Sequence, residues 1–233
     1  MIIHDSIELL KAVQENNKLN IQLFYGKLKT VSRQKAFVQL NTDQKKIIFW
    51  SNIYNALFQV GAMENRKQLS KDWSGFFKLK QISLFGETFS LDFVEHHLLR
   101  RSKWKYGLGY LNKLFVSKFE KDFRVDKVDY RIHFILNCGA KSCPIIRFLD
   151  QNNFEEQLSN ATIDYLENEI IVDEKSKQIE LNQLFLFYKG DFGGFKGLKK
   201  VLLKHNFIGY KHLNYSFKFT TFNKELKLAN FKA

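Results

Sequence analysis

The chain has 233 residues, of which 45% are hydrophobic and 15% aromatic, with 24 Phe and a single Pro. That is enough apolar material for one substantial core, and it excludes a disordered chain or a proline-rich linker. The net charge of +13 could serve polyanions such as nucleic acid or anionic lipid; no basic block exceeds a few residues, so the charge is read as solvated faces, and nucleic acid is not an expected partner.

In chain order, residues from about Ile7 to Leu40 read as helical, with Gly26 as the break. They are expected to form an N-terminal helical extension, residues 1–40, packed on a core of residues 41–233. Asn41, Thr42 and Asp43 offer caps for a central helix from Lys46 to Val60, ended near Gly61. Trp50, Ile53, Tyr54, Leu57 and Val60 share one side of it, and Asn52, Asn55 and Gln59 another. Phe76 to Ser90 reads as a hairpin turning at Gly86-Glu87. Ser90 can cap the helix LDFVEHHLLRR, which sets Asp92, His96 and Arg100 on one face. A less regular basic segment runs from Ser102 to Val128, before a strand at Arg131–Asn137.

Beyond that strand, Asn152 or Asn153 with Glu155 or Glu156 signals a capped helix to about Glu167. Strands around Ile170–Val172 and Gln178–Glu180 pair across a turn, and a short helix at Asn182–Tyr188 follows. A loop at 190–194, a helix to Lys204 and a last strand within Tyr210–Phe222 complete an α+β, single-domain reading: N-terminal helices and a central helix on an antiparallel sheet.

Reactive side chains gather in RIHFILNCGAKSCPIIR, residues 131–147, which holds both cysteines of the chain. Strand alternation would place His133 beside Asn137, and Pro144 would start a turn whose N–H groups favour a thiolate at Cys143. Two readings stay open: a nucleophile–base pair of Cys143 with His133 or His96, or two small buried hydrophobes in a tight turn. A zinc site is disfavoured, because four residues separate the cysteines and no second Cys/His pair follows at a matching distance. No metal or cofactor is expected. His96 reads as a general base oriented by Glu95 or Asp92, or else as a satisfied core histidine. Asp191, in an Asp-Phe-Gly turn, is expected to bond local backbone or an arginine.

Four segments, FWSNIYNAL, SLDFVEHHLLR, DYRIHFILNCGAKSCPIIR and FYKGDFG, resemble the domain-of-unknown-function 547 (DUF547) family in order and content. The likeness runs from about Asn41 to His205. It falls on Asn52, Tyr54, Asn55, Glu95, His96, Arg100, Arg131, His133, Cys138, Gly139, Ser142, Cys143, Pro144 and Asp191. Departures are Tyr130, where the family often has proline, and NYSFKF near the C-terminus, which lacks the family's acid and tryptophan. The resemblance brings no agreed activity. Its layout is similar to the papain/transglutaminase-like architecture, with a sheet bearing His133 against the central helix.

The expected function is therefore a thiol-dependent hydrolase or acyl transferase acting on an amide- or thioester-type bond of a small molecule or peptide. Cys143 is the nucleophile, His133 the base with His96 as second choice, and Asn52 or Asn55 the oxyanion donor. Arg100 and Arg131 hold a carboxylate, while Glu95, Cys138 and Ser142 contribute further contacts. The rival is a non-catalytic module recognising an anionic group or peptide terminus. The start MIIHDSIELLKAV lacks signal-peptide features and no run is long enough to span a membrane, so a cytoplasmic protein with reduced thiols is expected.

Overall fold

Three short polar side chains decide where the early helices begin. Asn17 accepts from the Asn20 amide, Ser32 from that of Lys35 and Thr42 from that of Lys45, each satisfying an orphan donor of a first turn. The computed structural model, which describes residues 1–232, accordingly has α1 (Ile2–Gln14), α2 (Lys18–Lys29), α3 (Arg33–Gln39) and α4 (Asp43–Glu64). The expected break at Gly26 is corrected: that glycine lies inside α2, and the chain turns instead at Asn16, with φ of 52°, and between Thr30 and Ser32.

Helix α4 is the expected central helix, longer at both ends. Gly61 sits inside it, where a Cβ would meet the Phe76 ring and the Gln81 amide within 3.2 Å. The amphipathic reading is too weak for this helix. Trp50, Ile53 and Tyr54 are buried, but so are Asn52, Asn55 and Gln59 on the other side. A helix covered all round must find partners for such amides. Helix α1 covers one flank, placing Leu9, Leu10 and Val13 in the core and Ser6 Oγ against the Asn52 amide at 3.4 Å.

Two short helices, α5 (Arg66–Lys71) and α6 (Trp73–Lys78), lead into a small hairpin of β1 (Ile82–Leu84) and β2 (Glu87–Phe89). Phe76 to Lys78 thus belong to a helix, and the turn falls at Phe85-Gly86, both at positive φ. Ser90 Oγ accepts from the Phe93 amide, as the capping reading required. The following segment, Phe93–Leu99, winds as a π-helix, a form enriched at functional sites. Next come α7 (Lys118–Phe123), opened by a Ser117–Glu120 capping box, and a 3-10 helix at Tyr130–Phe134.

That 3-10 helix replaces the expected strand at Arg131–Asn137. Asp129 caps it by accepting from the Arg131 amide, and among the described residues no strand pairs with it to complete a ladder. The backbone groups beyond it pair with a side chain of α4: Asn55 Nδ2 donates to the Ile135 carbonyl and Asn55 Oδ1 accepts from the Asn137 amide, both at 2.9 Å. Ile132, Phe134 and Ile135 are all buried, so the alternation did not mark two faces of a sheet. His133 is consequently carried by a helical turn, not by a sheet.

Helix α8 (Phe154–Glu169) follows, its start organised by Asp150 rather than by the expected capping box. Strands β3 (Ile171–Asp173) and β4 (Gln178–Asn182) pair antiparallel as read from the sequence. A short α9 (Leu184–Phe187), α10 (Gly194–Lys204) and a 3-10 turn at Tyr210–Asn214 lead to β5 (Ser216–Thr220), which pairs with β4 in parallel. The result is α+β, with two small sheets and most of the core built by helices.

Candidate functional site

Asp191 is the hub of the site. Its Oδ2 accepts from Arg100 Nε at 2.6 Å and lies 2.9 Å from His133 Nε2, with the side chains of Asp191 and Arg100 fully buried. Burial alone would raise this carboxyl; the hydrogen bond of His133 and the charge of Arg100 outweigh it and hold Asp191 below the usual carboxylate range. An ionised Asp191 can only accept, so His133 donates from Nε2, and in the neutral ring the lone pair is then on Nδ1. The His133 ring stacks on Tyr188, with centroids 4.0 Å apart, and the Arg100 guanidinium lies 4.6 Å from the same ring.

The turn that presents Asp191 is held by glycine. Gly109 and Gly190 approach so closely that a Cβ on Gly109, at φ +80°, would lie 2.6 Å from the Asp191 nitrogen, and one on Gly190 2.4 Å from the Gly109 carbonyl carbon. The Gly190 amide also donates to the Leu108 carbonyl at 2.7 Å. The loop after the π-helix thereby fixes the carboxylate that orients His133.

On the π-helix, Glu95 accepts from Tyr188 Oη at 2.6 Å and from Tyr54 Oη at 3.4 Å. Burial acts to raise Glu95, but neighbouring His96, the Tyr188 hydrogen bond and Arg100 leave it below its ordinary value. Burial and the Glu95 charge push both phenols well above theirs, so each stays a neutral donor. His96 Nδ1 lies 2.8 Å from Arg100 Nη1, a group that can only donate, so Nδ1 accepts. Burial, aided by Arg100 and opposed by Glu95, lowers His96 to about 4. His96 is therefore neutral near pH 7.

These groups line an open cavity of about 280 Å³ that also receives Cys138, Cys143 and Pro144. Tyr54, Glu95, His96, His133 and Tyr188 supply its polar wall, and Trp73, Phe77, Leu136, Leu184, Phe187 and Phe222 its apolar one. Lys105, paired with Asp92 at 2.7 Å, stands in the same wall. Cys143 and Pro144 also border a second cavity of about 290 Å³ on the side of α8. Gly139, at φ +78°, lets the intervening turn pass the Phe58 ring, which a Cβ would meet at 2.6 Å.

The two cysteines are joined as a disulfide, and no described cysteine is free. This corrects the expectation of reduced thiols. The five-residue separation that disfavoured zinc lets the turn return Cys143 to Cys138, with Cα atoms 6.2 Å apart. The Cys138 amide points at Cys143 Sγ from 3.2 Å. Among the described residues no group of His, Cys, Asp and Glu is arranged to hold a metal ion.

The structure therefore brings together Cys138, Cys143, His133, His96 and Glu95, and sets the other candidates elsewhere. Asn52 bonds Ser6 and the Leu149 carbonyl, and Asn55 the backbone at Ile135 and Asn137; neither lines the cavity. Arg100 faces Asp191 inside the protein. Arg131 pairs with Asp129 and Glu155, away from the cavity. Ser142 borders the second cavity, where its hydroxyl accepts from the Asn223 amide. Sequence reasoning missed Tyr188 and the bond from Asp191 to His133. The partner it named for Asp191, an arginine, is found. Tyr188 stands in the FYKGDFG segment, so that motif held the only available signal.

The family model described as Protein of unknown function, DUF547, matches residues 37–166. That span covers the first three segments of the resemblance and stops before the segment with Tyr188 and Asp191. No curated protein and no solved structure matches the chain.

Proposed function

We propose that this protein, which belongs to the DUF547 family, is a thiol-dependent hydrolase or acyl transferase whose active site is the cavity between the π-helix and the cysteine turn. The observation that carries the reading is the 2.9 Å contact from Asp191 to His133 Nε2, in a cavity whose wall includes Cys143. A buried carboxylate that fixes one imidazole nitrogen and leaves the other as a base is the arrangement that activates a nucleophile. The Cys138 amide aimed at Cys143 Sγ favours a thiolate on that sulfur.

Activity on this reading requires reduction. A dithiol reductant transfers two electrons and two protons to the disulfide, releasing both thiols. His133 Nδ1 then takes the Cys143 proton and the thiolate adds to the carbonyl carbon of an amide or thioester. His133 returns the proton to the leaving nitrogen or sulfur as that bond breaks. Water or an acceptor nucleophile releases the acyl group and restores the thiol. The Tyr188 hydrogen bond and the nearby basic groups keep Glu95 ionised beside this chemistry, and the aromatic wall favours an apolar acyl portion. The binding-module alternative, built on arginines holding an anionic ligand, is less well supported, because Arg100 and Arg131 both face carboxylates of the protein.

The test is the alkylation rate of reduced protein by iodoacetamide at neutral pH, with Cys138→Ser isolating Cys143. The expected rate exceeds that of free cysteine by about tenfold or more and falls at least tenfold in His133→Gln. A rate equal to free cysteine and indifferent to His133→Gln would remove Cys143 from the nucleophile role.

A further inference from the structure

Residues 101–118, RSKWKYGLGYLNKLFVSK, contain five cationic side chains and no carboxylate. The segment is fixed rather than loose. The Trp104 amide donates to the Leu111 carbonyl at 2.9 Å, the Lys113 amide to the Ser102 carbonyl at 2.8 Å, and the turn at Leu108-Gly109 is held against Gly190. Despite that anchoring, its large apolar side chains stand in solvent. Leu114 is 90% and Phe115 85% exposed, and Tyr106, Leu111 and Trp104 are each more than half exposed. Solvent-facing leucine and phenylalanine at adjacent positions are not a feature that stabilises the fold.

The same segment carries the cations. Arg101, Lys103 and Lys118 have no ion-pair partner among the described residues, while Lys105 and Lys113 pair with Asp92 and Glu120. At the base lies a cavity of about 200 Å³ whose lining includes Lys103, Trp104, Lys105, Lys113 and His97, together with the Asp92 carboxylate. Exposed Leu114 and Phe115 in one short segment with exposed Trp104 and Tyr106 and five cations supply the three kinds of group a bilayer surface receives: acyl chains, interface and headgroup phosphates.

We infer that the loop of residues 101–118 docks the protein on a membrane surface carrying anionic phospholipid, with Leu114 and Phe115 entering the acyl region and the lysines meeting headgroup phosphates. Charge complementarity selects this occupant, since the segment offers cations alone. Leu111 and Leu114, the former more than half and the latter almost fully exposed, suit an acyl region and have no flat face to stack on a nucleobase. Lys105 lines both the cavity at the base of the loop and the candidate one, so the loop adjoins the candidate site. The inference rests on this loop alone and holds whether or not Cys143 is a nucleophile.

Sedimentation with vesicles tests it, comparing pure phosphatidylcholine with a mixture containing roughly 30% phosphatidylserine. Binding is expected to the mixed vesicles only, falling with added salt and weakened about tenfold or more in the double variant L114S/F115S. Both replaced side chains face solvent, and an unchanged unfolding midpoint confirms that the variant is folded. Three outcomes overturn the inference: equal binding to both vesicles or to neither, undiminished binding of L114S/F115S, or a dimer in sedimentation that L114S/F115S dissolves. Binding of a single-stranded oligonucleotide, lost in L114S/F115S, in the absence of vesicle binding would assign the loop to nucleic acid instead.

Discussion

Asp191 and His96 show how burial converts ordinary polar residues into groups with one protonation state. Asp191 faces Arg100 and His133 with no exposed surface, so its loss strands a guanidinium in the interior. Asp191→Asn should lower stability by roughly 3 kcal/mol in urea unfolding, and Asp191→Asn in an Arg100→Met background by much less. Equal losses in the two backgrounds would mean that the ion pair is not what holds the turn. His96 behaves differently. Its folded value, about 4, lies below the 6.5 of an unfolded imidazole, so the unfolded chain binds the extra proton. Its contribution is therefore fully present above about pH 6.5 and is lost as pH falls towards 4, with a ceiling of roughly 3 kcal/mol. His96→Gln, which retains an acceptor for Arg100, should flatten the decline of stability across that window. An unchanged slope would show that His96 is already protonated in the folded protein.

Among the elements, the segment from Tyr130 to Asn137 is the most instructive. It owes its position to the side chain of Asn55, which takes one carbonyl and one amide that a neighbouring strand would otherwise have satisfied. Removing that side chain leaves two buried backbone groups without partners. Asn55→Ala should cost about 2–4 kcal/mol, well beyond its lost volume. It should also slow thiol alkylation at Cys143, because His133 and the cysteine turn flank the clamped backbone. A substitution that costs stability and leaves the alkylation rate intact would separate the clamp from the site. The same logic gives α4 its character: Asn52, Asn55 and Gln59 serve as connectors to α1, to the 3-10 segment and, through Gln59 Oε1, to the Ala229 amide.

For the whole molecule, the open question is whether residues 1–40 decorate the core or belong to it. Helix α1 buries Ile2, Leu9, Leu10 and Val13 almost completely. At about 1.5–3 kcal/mol for each such side chain, their loss is comparable with the entire stability of an ordinary domain, about 5–15 kcal/mol. A chain lacking residues 1–14 is expected to lose its near-ultraviolet circular dichroism and its cooperative thermal transition. Retention of both, with the midpoint unchanged, would establish that the helix is an appendage. The charge of +13 acts at this scale too, because its cations are concentrated without carboxylates in residues 101–118 as well as spread over solvated faces.

Sequence alone determined the α+β class, the central helix with a cap among Asn41, Thr42 and Asp43, the Ser90 cap, the β3–β4 pairing and the family. Those features depend on capping chemistry, local periodicity and motifs, which are written in neighbouring residues. It also singled out a turn whose cysteines line one cavity with His133, because all three lie within one short stretch. Only the tertiary structure decided that the apolar run bearing His133 is a helical turn, since the partner for its backbone is a side chain 80 residues away. Only the tertiary structure joined Asp191 to His133, across 58 residues, and bonded the two cysteines. Alternation, spacing and composition describe a chain one neighbourhood at a time, whereas orientation of an imidazole and pairing of buried polar groups are set by whatever the fold packs against them.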